Sequence, residues 1–288
     1  MDNVACIILN YNDYQTTMKL VNSIKNFNII KHIVIVDNKS SNKSLNILRR
    51  AYASIDKVIV VSSEKNGGYG YGNNYGIKYA KKVLKSKYAI ISNPDVSFSE
   101  KLVKDLLFLM KEHNAAIVSG TQKIDGEINP PWKLPSAFSW ALDETKFFHR
   151  KALSYYYYDD EYFKEKYSSV DCVRGAMLLI DIDKVLDVGG YDETMFLFGE
   201  ETVLGYKLKR QQYKTLILNH EYYYHEHSTS ISKSIPEKIK QQKILYDSKL
   251  IYMTKYLNVG WIKLTFIKGI FKFEILKSKL KEILNKDM

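Results

Sequence analysis

Short runs of Val and Ile alternate with amphipathic segments through the first 120 residues. The apolar runs cover residues 4–10, 32–37, 57–63, 88–93 and 115–120. Helical periodicity covers the intervening residues 14–26, 42–53, 73–86 and 99–113. Continuous apolar runs are typical of strands that a parallel sheet buries on both faces. The pattern therefore predicts an α/β fold with a mostly parallel central sheet and right-handed crossovers.

The second half of the chain is less regular. Strand patterns at 170–181 and 213–219 flank a helical pattern over about 200–212. The tyrosine-rich residues 155–163 fit a half-buried amphipathic helix better than a surface that stacks sugars or bases. We see no internal repeat and no long flexible linker in this half, so it predicts a continuation of the same domain.

The C-terminal residues combine helical periodicity with much of the positive charge. Helical patterns cover about 236–258 and 261–286. The net charge is +11, and residues 249–288 hold nine Lys against three acidic residues. We therefore predict a catalytic domain over residues 1–230 and a basic, amphipathic helical extension over residues 231–288. A basic tail can serve nucleic acid, an anionic membrane surface or solubility. Nucleic acid is the least favoured partner, because zinc-finger, RNA-recognition and basic-zipper patterns are absent from the sequence.

The sequence also predicts the compartment. The N-terminus runs directly into a strand-like segment, without the basic region that begins a signal peptide. No apolar stretch approaches the roughly 18–20 residues that span a bilayer. Cys6 and Cys172 lie far apart and lack metal-ligand spacing, which is typical of buried thiols in a reducing compartment. We therefore expect a cytoplasmic protein.

Polar residues stand where several predicted strands end, and open α/β sheets bind ligands at that edge. They are Asp37 and Asp95 at strand ends, a glycine-rich loop at 66–76 that leads into a helix, Glu200 and Glu201 at a helix start, and His225 with His227 at another strand end. Each feature has a structural alternative as well: a turn, a connecting loop, a favourable helix start or a core histidine. Taken singly, none of them identifies a site.

Their order along the chain is more specific. Over about residues 4–230, the sequence resembles the family 2 glycosyltransferases of the GT-A fold, and especially their rhamnosyltransferase-like members. The stretches that carry the resemblance are IILNYN, IVIVDNKS, NGGYGYGNNYGI, SNPDV, RGAMLLI, GGYDETMFLFGEE and HEHSTS, in that order. Any one of them is common, whereas all seven in sequence are highly specific.

The resemblance implies an inverting, metal-dependent transfer from a nucleoside-diphosphate sugar. Asp95 matches the last acid of the family's Asp-x-Asp element, and His225 matches its strand-end histidine. Both would be ligands of Mg²⁺ or Mn²⁺. Asp37 matches the acid that reads the pyrimidine imide. The family's Glu-Asp pair aligns with Glu200 and Glu201, which makes Glu201 the candidate general base. The resemblance places these residues at the nucleotide-sugar: Asn10, Asn12, Asp37, Asn66, Gly67, Gly68, Asn73, Asn93, Asp95, Arg174 and Gly175.

The same resemblance suggests the substrates. It favours dTDP-L-rhamnose as the donor, with UDP-hexoses as the alternative. The acceptor would be a saccharide or a polyprenyl-linked sugar in the synthesis of a bacterial surface polysaccharide such as a capsule or O-antigen. The family often has a second acid and an arginine along the helix where this chain has Val203 and Lys207. A catalytically silent scaffold protein and a homo-oligomer are therefore also kept as alternatives.

The last predicted helix has an apolar stripe. The stripe consists of Phe266, Ile270, Phe273, Leu276, Leu280 and Ile283. Lys268, Lys272 and Lys279 fall on the opposite side, while Lys277 interrupts the stripe. Two interpretations remain open: a terminal helix that packs on the domain or on a second subunit, and an interfacial helix on the anionic cytoplasmic leaflet.

Overall fold

Four strands from the first ninety residues form the parallel part of the central sheet. The protein was analysed as a computed structural model, which describes residues 3–145, 148–226, 235 and 237–286. The strands are β1 (Val4–Asn10), β2 (Ile30–Asp37), β3 (Val58–Ser62) and β4 (Tyr88–Ser92), in the order β3-β2-β1-β4. The helices between them are α1 (Tyr14–Ile24), α2 (Ser44–Ala51) and α3 (Tyr69–Lys82). This alternation confirms the predicted α/β class.

The sheet is buried on both faces. Along β1, Val4, Cys6 and Ile8 pack into one apolar cluster with residues of α1 and α2, while Ala5 and Ile7 pack into a second cluster with residues of α3. The following helix is α4 (Glu100–His113), whose N-cap is the predicted Ser99, with its hydroxyl accepting from the Leu102 amide at 3.1 Å. Because side chains alternate along a strand, continuous apolar runs mark strands with helices on both sides.

The second half of the sheet is mixed. Its strands are β5 (Val96–Ser97), β6 (Ile117–Ile124), β7 (Glu127–Asn129), β8 (Tyr167–Ser169), β9 (Met177–Asp181) and β10 (Thr215–His225). The order continues β4-β9-β6-β10-β5, with β6 and β10 parallel and β9 antiparallel to both of its neighbours. The chain enters β9 at the carboxyl edge of β4, where the Asn93 amide donates to the Ala176 carbonyl at 2.8 Å. The sheet is therefore parallel in its first half but not around β9.

Short helices fill the connections of the second half. They are α5 (Ala137–Leu142), α6 (His149–Tyr156), a 3₁₀ turn (Asp160–Phe163), α7 (Ile182–Asp187) and α8 (Glu200–Arg210). The tyrosine-rich segment is α-helical only as far as Tyr156 and ends in the 3₁₀ turn; Tyr156 is buried, whereas Tyr155 and Tyr162 are exposed. The strand predicted over 170–181 begins at Met177, because Cys172 forms an isolated bridge with Trp132 instead of joining the sheet.

Two helices form the C-terminal part of the chain. Helix α9 (Lys238–Ile251) continues into a π-helical turn (Tyr252–Tyr256), and α10 (Trp261–Lys286) follows. They pack on the catalytic part through an apolar cluster that contains Trp132, Trp140, Val203, Tyr246, Tyr252 and Phe271. The fully buried Lys249 ammonium pairs with Glu144 and donates to the Trp140 carbonyl at 2.9 Å. The boundary predicted at residues 230 and 231 falls outside the described residues. In the described part of the chain, all helices are too short or too polar to cross a bilayer.

Asp192 joins the loop before α8 to the π-helical turn. One carboxylate oxygen accepts from the Lys255 ammonium at 2.8 Å and from the Tyr256 hydroxyl at 2.6 Å. The other accepts from the amide and the hydroxyl of Thr194 at 3.0 and 2.7 Å. Burial alone would raise the pKa of Asp192, but these donors outweigh it and hold that pKa well below its usual range. The carboxylate therefore stabilises the fold in its ionised form.

Replacing Asp192 with asparagine should lower the free energy of unfolding by about 1.5–3 kcal/mol at neutral pH, because charged acceptors make stronger hydrogen bonds. A carboxylate with a depressed folded-state pKa contributes stability above the unfolded value of about 4, and loses it as the pH falls through the folded value. Urea unfolding of both proteins at several pH values should show the difference shrinking in acid. Asp183→Asn is the matched control, because Asp183 is an exposed acid whose ion pair is with Lys81. A loss of unfolding free energy in Asp192→Asn that does not change with pH would contradict an ionised, stabilising Asp192.

Candidate functional site

The ends of β1 and β2 are joined by a buried polar pair. The Asn10 amide donates to one Asp37 carboxylate oxygen at 2.8 Å, and the Ser40 backbone amide donates to the other at 2.9 Å. Both Asn10 and Asp37 are fully buried. Each carboxylate oxygen has a further lone pair with which to accept an N–H. Asp37 therefore holds two strand ends together at the edge where a nucleotide is expected.

Two further asparagines connect the loops at this edge. The Asn12 side-chain oxygen accepts from the Ser41 and Asn42 amides at 2.9 and 3.2 Å, so Asn12 fixes the loop after β2. Asn38 was not singled out from the sequence, yet it is buried, and its amide donates to the Asn66 side chain and the Gly68 carbonyl, both at 3.0 Å. Asn38 directly follows the candidate Asp37, and this adjacency is the sequence feature that could have identified it.

The glycine-rich segment is mostly helix and not loop, which corrects the expectation for residues 66–76. Only Asn66, Gly67 and Gly68 precede α3. Gly68 has φ +90°, and a Cβ on it would overlap the Phe196 carbonyl. Two glycines inside α3 face the sheet: a Cβ on Gly72 would overlap Leu9, and a Cβ on Gly76 would overlap Ile7, so both let α3 approach the sheet closely. A Cβ on Gly70 would overlap Tyr191, in the segment between α7 and α8. Asn73 is also inside α3, fully buried, with its amide donating to the Tyr69 carbonyl at 3.1 Å.

Tyr69, the first residue of α3, reaches across the sheet edge to the start of β9. Its backbone amide donates to the Phe196 carbonyl at 2.9 Å, and its hydroxyl donates to the Gly175 carbonyl at 2.7 Å. A Cβ on Gly175 would lie 2.6 Å from Oε1 of Glu201. Gly175 therefore makes room for the Glu201 carboxylate at the N-terminus of α8.

Glu200 and Glu201 lie in a poorly solvated part of the edge. Glu200 is buried and one of its carboxylate oxygens has no hydrogen-bond partner in the described part of the chain, whereas Glu201 is partly exposed. Burial, together with the charge of Glu201, raises the pKa of Glu200 well above its usual range. Burial also raises the pKa of Glu201, although its own backbone amide, Arg174 and the Gly175 amide oppose the rise. A raised carboxyl pKa suits a residue that takes up a proton.

Arg174 lies beside this pair on an aromatic support. Its guanidinium lies 4.6 Å from the centroid of the Trp132 ring. It donates to the Pro130 carbonyl and to the Tyr157 hydroxyl, both at 3.0 Å. These contacts orient a positive charge close enough to Glu201 to lower the pKa of that carboxyl.

Asp95 and His225 meet where β5 pairs with β10. An Asp95 carboxylate oxygen lies 3.1 Å from Nε2 of His225, and both side chains are largely buried. The Gln122 amide lies 3.2 Å from Nδ1 of the same ring, and Asn129 donates to Gln122 at 2.6 Å. Gln122 was missed because β6 extends four residues beyond the predicted 115–120. It fixes the ring orientation, as partners of metal-binding histidines do. His227, the second candidate, lies outside the described residues.

The Asp95–His225 pair has the chemistry and spacing of two metal ligands. Neighbouring ligands of an octahedral ion, each about 2.1 Å from the metal, lie about 3 Å apart. The 3.1 Å separation is that of a direct hydrogen bond between the two groups, and it is also compatible with two neighbouring ligands of one ion, of which the carboxylate suits Mg²⁺ or Mn²⁺. Within residues 3–145, 148–226, 235 and 237–286, we find no group of three or more His, Cys, Asp or Glu side chains that could hold a metal ion.

Both departures from the family pattern have a structural explanation. Val203 is fully buried in the cluster with Trp132 and Tyr252, so an acid at this position would face apolar side chains. The Lys207 ammonium donates to the Gly190 carbonyl, and burial lowers its pKa.

The geometry places a carboxylate–imidazole pair, and a glutamate pair of which one member is buried and the other partly exposed, at the carboxyl side of the sheet, where open α/β folds bind ligands. The pattern of Glycosyl transferase family 2 matches residues 5–183, so the chain belongs to this family. It is 25% identical over 211 residues to the low-salt glycan biosynthesis hexosyltransferase Agl10 of Haloferax volcanii, covering 73% of this chain. The chain spans 63% of that relative's length.

Solved structures show the same GT-A fold. GalNAc-T7 with UDP, GalNAc and Mn²⁺ superposes with a TM-score of 0.63 at 15% identity, over 79% of this chain and 44% of that one. The mannosyltransferase PcManGT of Pyrobaculum calidifontis, in complex with GDP-Man and Mn²⁺, gives a TM-score of 0.59 at 12% identity, over 90% and 65% of the two chains. At these identities the likeness concerns the fold alone.

Proposed function

We propose that the protein is an inverting glycosyltransferase that moves a sugar from a nucleoside diphosphate to a saccharide or polyprenyl-linked acceptor. The observation that carries the proposal is the placement of the Glu201 carboxylate against Gly175, at the edge where Asp95 meets His225. Glu201 would deprotonate the acceptor hydroxyl as it attacks the anomeric carbon. Glu200, kept neutral by burial, would leave Glu201 as the charged member of the pair.

The remaining site residues would bind the donor. Asp95 and His225 would hold Mg²⁺ or Mn²⁺, with diphosphate oxygens and water completing the shell, and the metal would stabilise the negative charge of the departing diphosphate. Asp37, with Asn10 behind it, would accept the imide N–H of a pyrimidine. The residues proposed to shape the rest of the donor site are Asn12, Asn66, Asn73 and Asn93, the glycines Gly67, Gly68 and Gly175, and Arg174.

We propose dTDP-L-rhamnose as the donor, with UDP-hexoses as the alternative. The relative named as a hexosyltransferase and the neighbours solved with UDP or GDP-Man support a hexose of some kind. Thermal shift of the purified protein with Mn²⁺ and a panel of dTDP-, UDP- and GDP-sugars tests this, because a ligand that binds the folded state raises the melting temperature. For the sugar nucleotide that raises the melting temperature most, release of nucleoside diphosphate then distinguishes an enzyme from a catalytically silent scaffold. The proposal fails if no member of the panel binds or turns over.

Asp37→Ala should raise the donor's KM more than it lowers kcat, because the residue binds the base and does not touch the reacting atoms. Steady-state kinetics with the preferred donor measures both constants. Loss of the Asn10 and Ser40 hydrogen bonds will also cost stability, so melting temperatures are recorded with and without nucleotide. Asp56→Ala, an exposed acid before β3, is the control. An unchanged KM would remove Asp37 from the nucleotide site.

We propose further that the protein works in the cytoplasm, at the inner face of the membrane, in the synthesis of a bacterial surface polysaccharide. A polyprenyl-linked acceptor would itself lie in that membrane. The basic C-terminal extension supports this location through its surplus of positive charge.

A further inference from the structure

Helix α10 packs on the protein with one face and leaves another apolar face in solvent. Ile267 and Phe271 are buried, and the Phe271 ring stacks on Tyr246 with centroids 4.2 Å apart. The outward residues are Ile262, Phe266, Phe273, Leu276, Leu280, Ile283 and Leu284, each between 52% and 67% exposed. The predicted stripe therefore faces away from the fold, except for Ile270 at its margin. We call these seven residues the outward face.

Lysines border the outward face on both sides. At 3.6 residues per turn, the seven residues fall within an arc of about 100°. Lys268, Lys272 and Lys279, which were predicted on the opposite side, lie along one border instead, and Lys277 lies with Lys263 and Lys281 along the other. All six are exposed. An apolar strip between two rows of lysines is typical of helices that lie in a membrane interface, where long cationic side chains reach the headgroups.

The apolar surface continues beyond α10. A groove of about 800 Å³ lies between the start of α5 and the start of α10, and it is lined in part by Phe138, Val259, Ile262 and Phe266. Phe138 is 54% exposed, and Trp261, the first residue of α10, is 76% exposed. Aromatic residues at the end of such a strip suit the headgroup region of a bilayer. The groove thus extends the outward face onto the catalytic part.

The charge pattern distinguishes a lipid surface from a second copy of the chain. Two copies packed through the outward face would bring lysine rows together, and the acids of α10 relieve only part of that repulsion. Glu274, nearly buried on the inward side, pairs with one of the six border lysines, Lys277, at 2.7 Å, while the exposed Glu282 lies on the inward half of the helix. Anionic headgroups would complement both rows at once.

We propose that the outward face of α10 is a docking surface for an anionic membrane, with the helix remaining packed on the protein through Ile267 and Phe271. This surface would be the element that binds the membrane at the location proposed above. The docking proposal does not depend on the donor or on the reaction. Failure of the docking test would leave the transferase proposal intact, and a protein inactive in transfer could still bind vesicles.

The test is vesicle co-sedimentation of the full chain. Vesicles of phosphatidylcholine containing about 30 mol% phosphatidylglycerol are compared with pure phosphatidylcholine over a range of salt concentrations. Two substitutions, Phe273→Ser with Leu280→Ser, should weaken binding to the anionic vesicles at least about tenfold. Lys272→Gln with Lys279→Gln should weaken it by a similar factor and reduce its dependence on salt.

Phe108→Ser is the matched control, because Phe108 is 62% exposed on α4 and lies outside the surface. All variants should keep the wild-type melting temperature, since the substituted side chains are exposed. Equal binding to neutral and anionic vesicles, or outward-face variants that bind like wild type, would overturn the proposal. So would a wild-type dimer that Phe273→Ser with Leu280→Ser converts to monomer, because the face would then be a subunit interface.

Discussion

Replacement of Asp95 with alanine is expected to reduce metal-supported sugar transfer by about a hundredfold or more. The carboxylate lies 3.1 Å from Nε2 of His225 and is the only acid in the proposed ligand pair. Its loss would remove the charged ligand from the cation and leave the imidazole alone. The rate with saturating donor and acceptor, measured as a function of Mn²⁺ concentration, reports the effect.

Two further variants separate charge from structure in this experiment. Asp95→Asn keeps the shape and a hydrogen-bond acceptor for His225 but removes the charge, so it should lose nearly as much activity. His225→Ala should weaken metal affinity, which calorimetric titration with Mn²⁺ measures without turnover. Asp105→Ala, an acid on α4 paired with Lys101, is the control and should be unaffected. Full activity of Asp95→Ala, or of wild type in excess chelator, would contradict the metal assignment.

Glu201→Gln is expected to slow transfer by about 10²–10⁴ while preserving donor affinity, which is the usual contribution of a general base. The base must be ionised to act, and burial raises the pKa of Glu201. Wild-type kcat should therefore rise with pH through a value above the ordinary carboxyl range and then level off. The glutamine variant should lack this rise. A pH profile of single-turnover rates measures both.

The neighbouring glutamate tests the assignment within the pair. Glu200→Gln should have a milder effect, because the structure keeps Glu200 buried while Glu201 is partly exposed next to Gly175. The apparent pKa of the profile should change little, since Glu200 is proposed to be neutral already and glutamine is neutral as well. If Glu200→Gln is the more damaging change, the base is Glu200 and the alignment is off by one residue.

The sequence was sufficient for the features that depend on local pattern. The apolar runs at 4–10, 32–37 and 88–93 became β1, β2 and β4, because a strand buried on both faces needs continuous apolar residues. Asp37 could be placed at the end of β2 for the same reason, whereas Asp95, predicted to close the fourth strand, lies in the turn between β4 and β5. The order of the seven stretches was sufficient for the family, and Ser99 marked the start of α4 by its capping chemistry.

Contacts between distant residues decided the rest. Gly70, Gly72 and Gly76 look like loop residues in sequence. In the structure, Leu9 and Ile7 leave no room for a Cβ on Gly72 and Gly76 where α3 packs on the sheet, and Tyr191 leaves none for a Cβ on Gly70. Gln122 became a partner of His225 only when β6 paired with β10, 103 residues apart in the chain. Local patterns do not contain such pairings.

The last helix shows the same division most clearly. Its sequence has apolar residues on more than one side, so periodicity predicts a helix over 261–286 but does not determine which side is buried. Stacking of Phe271 on Tyr246 and burial of Ile267 made that choice. They turned the predicted stripe toward solvent, because a helix can present only one face to the core. Whether an apolar stripe is core or surface is a property of the packing partner, and the partner is known only from the tertiary structure.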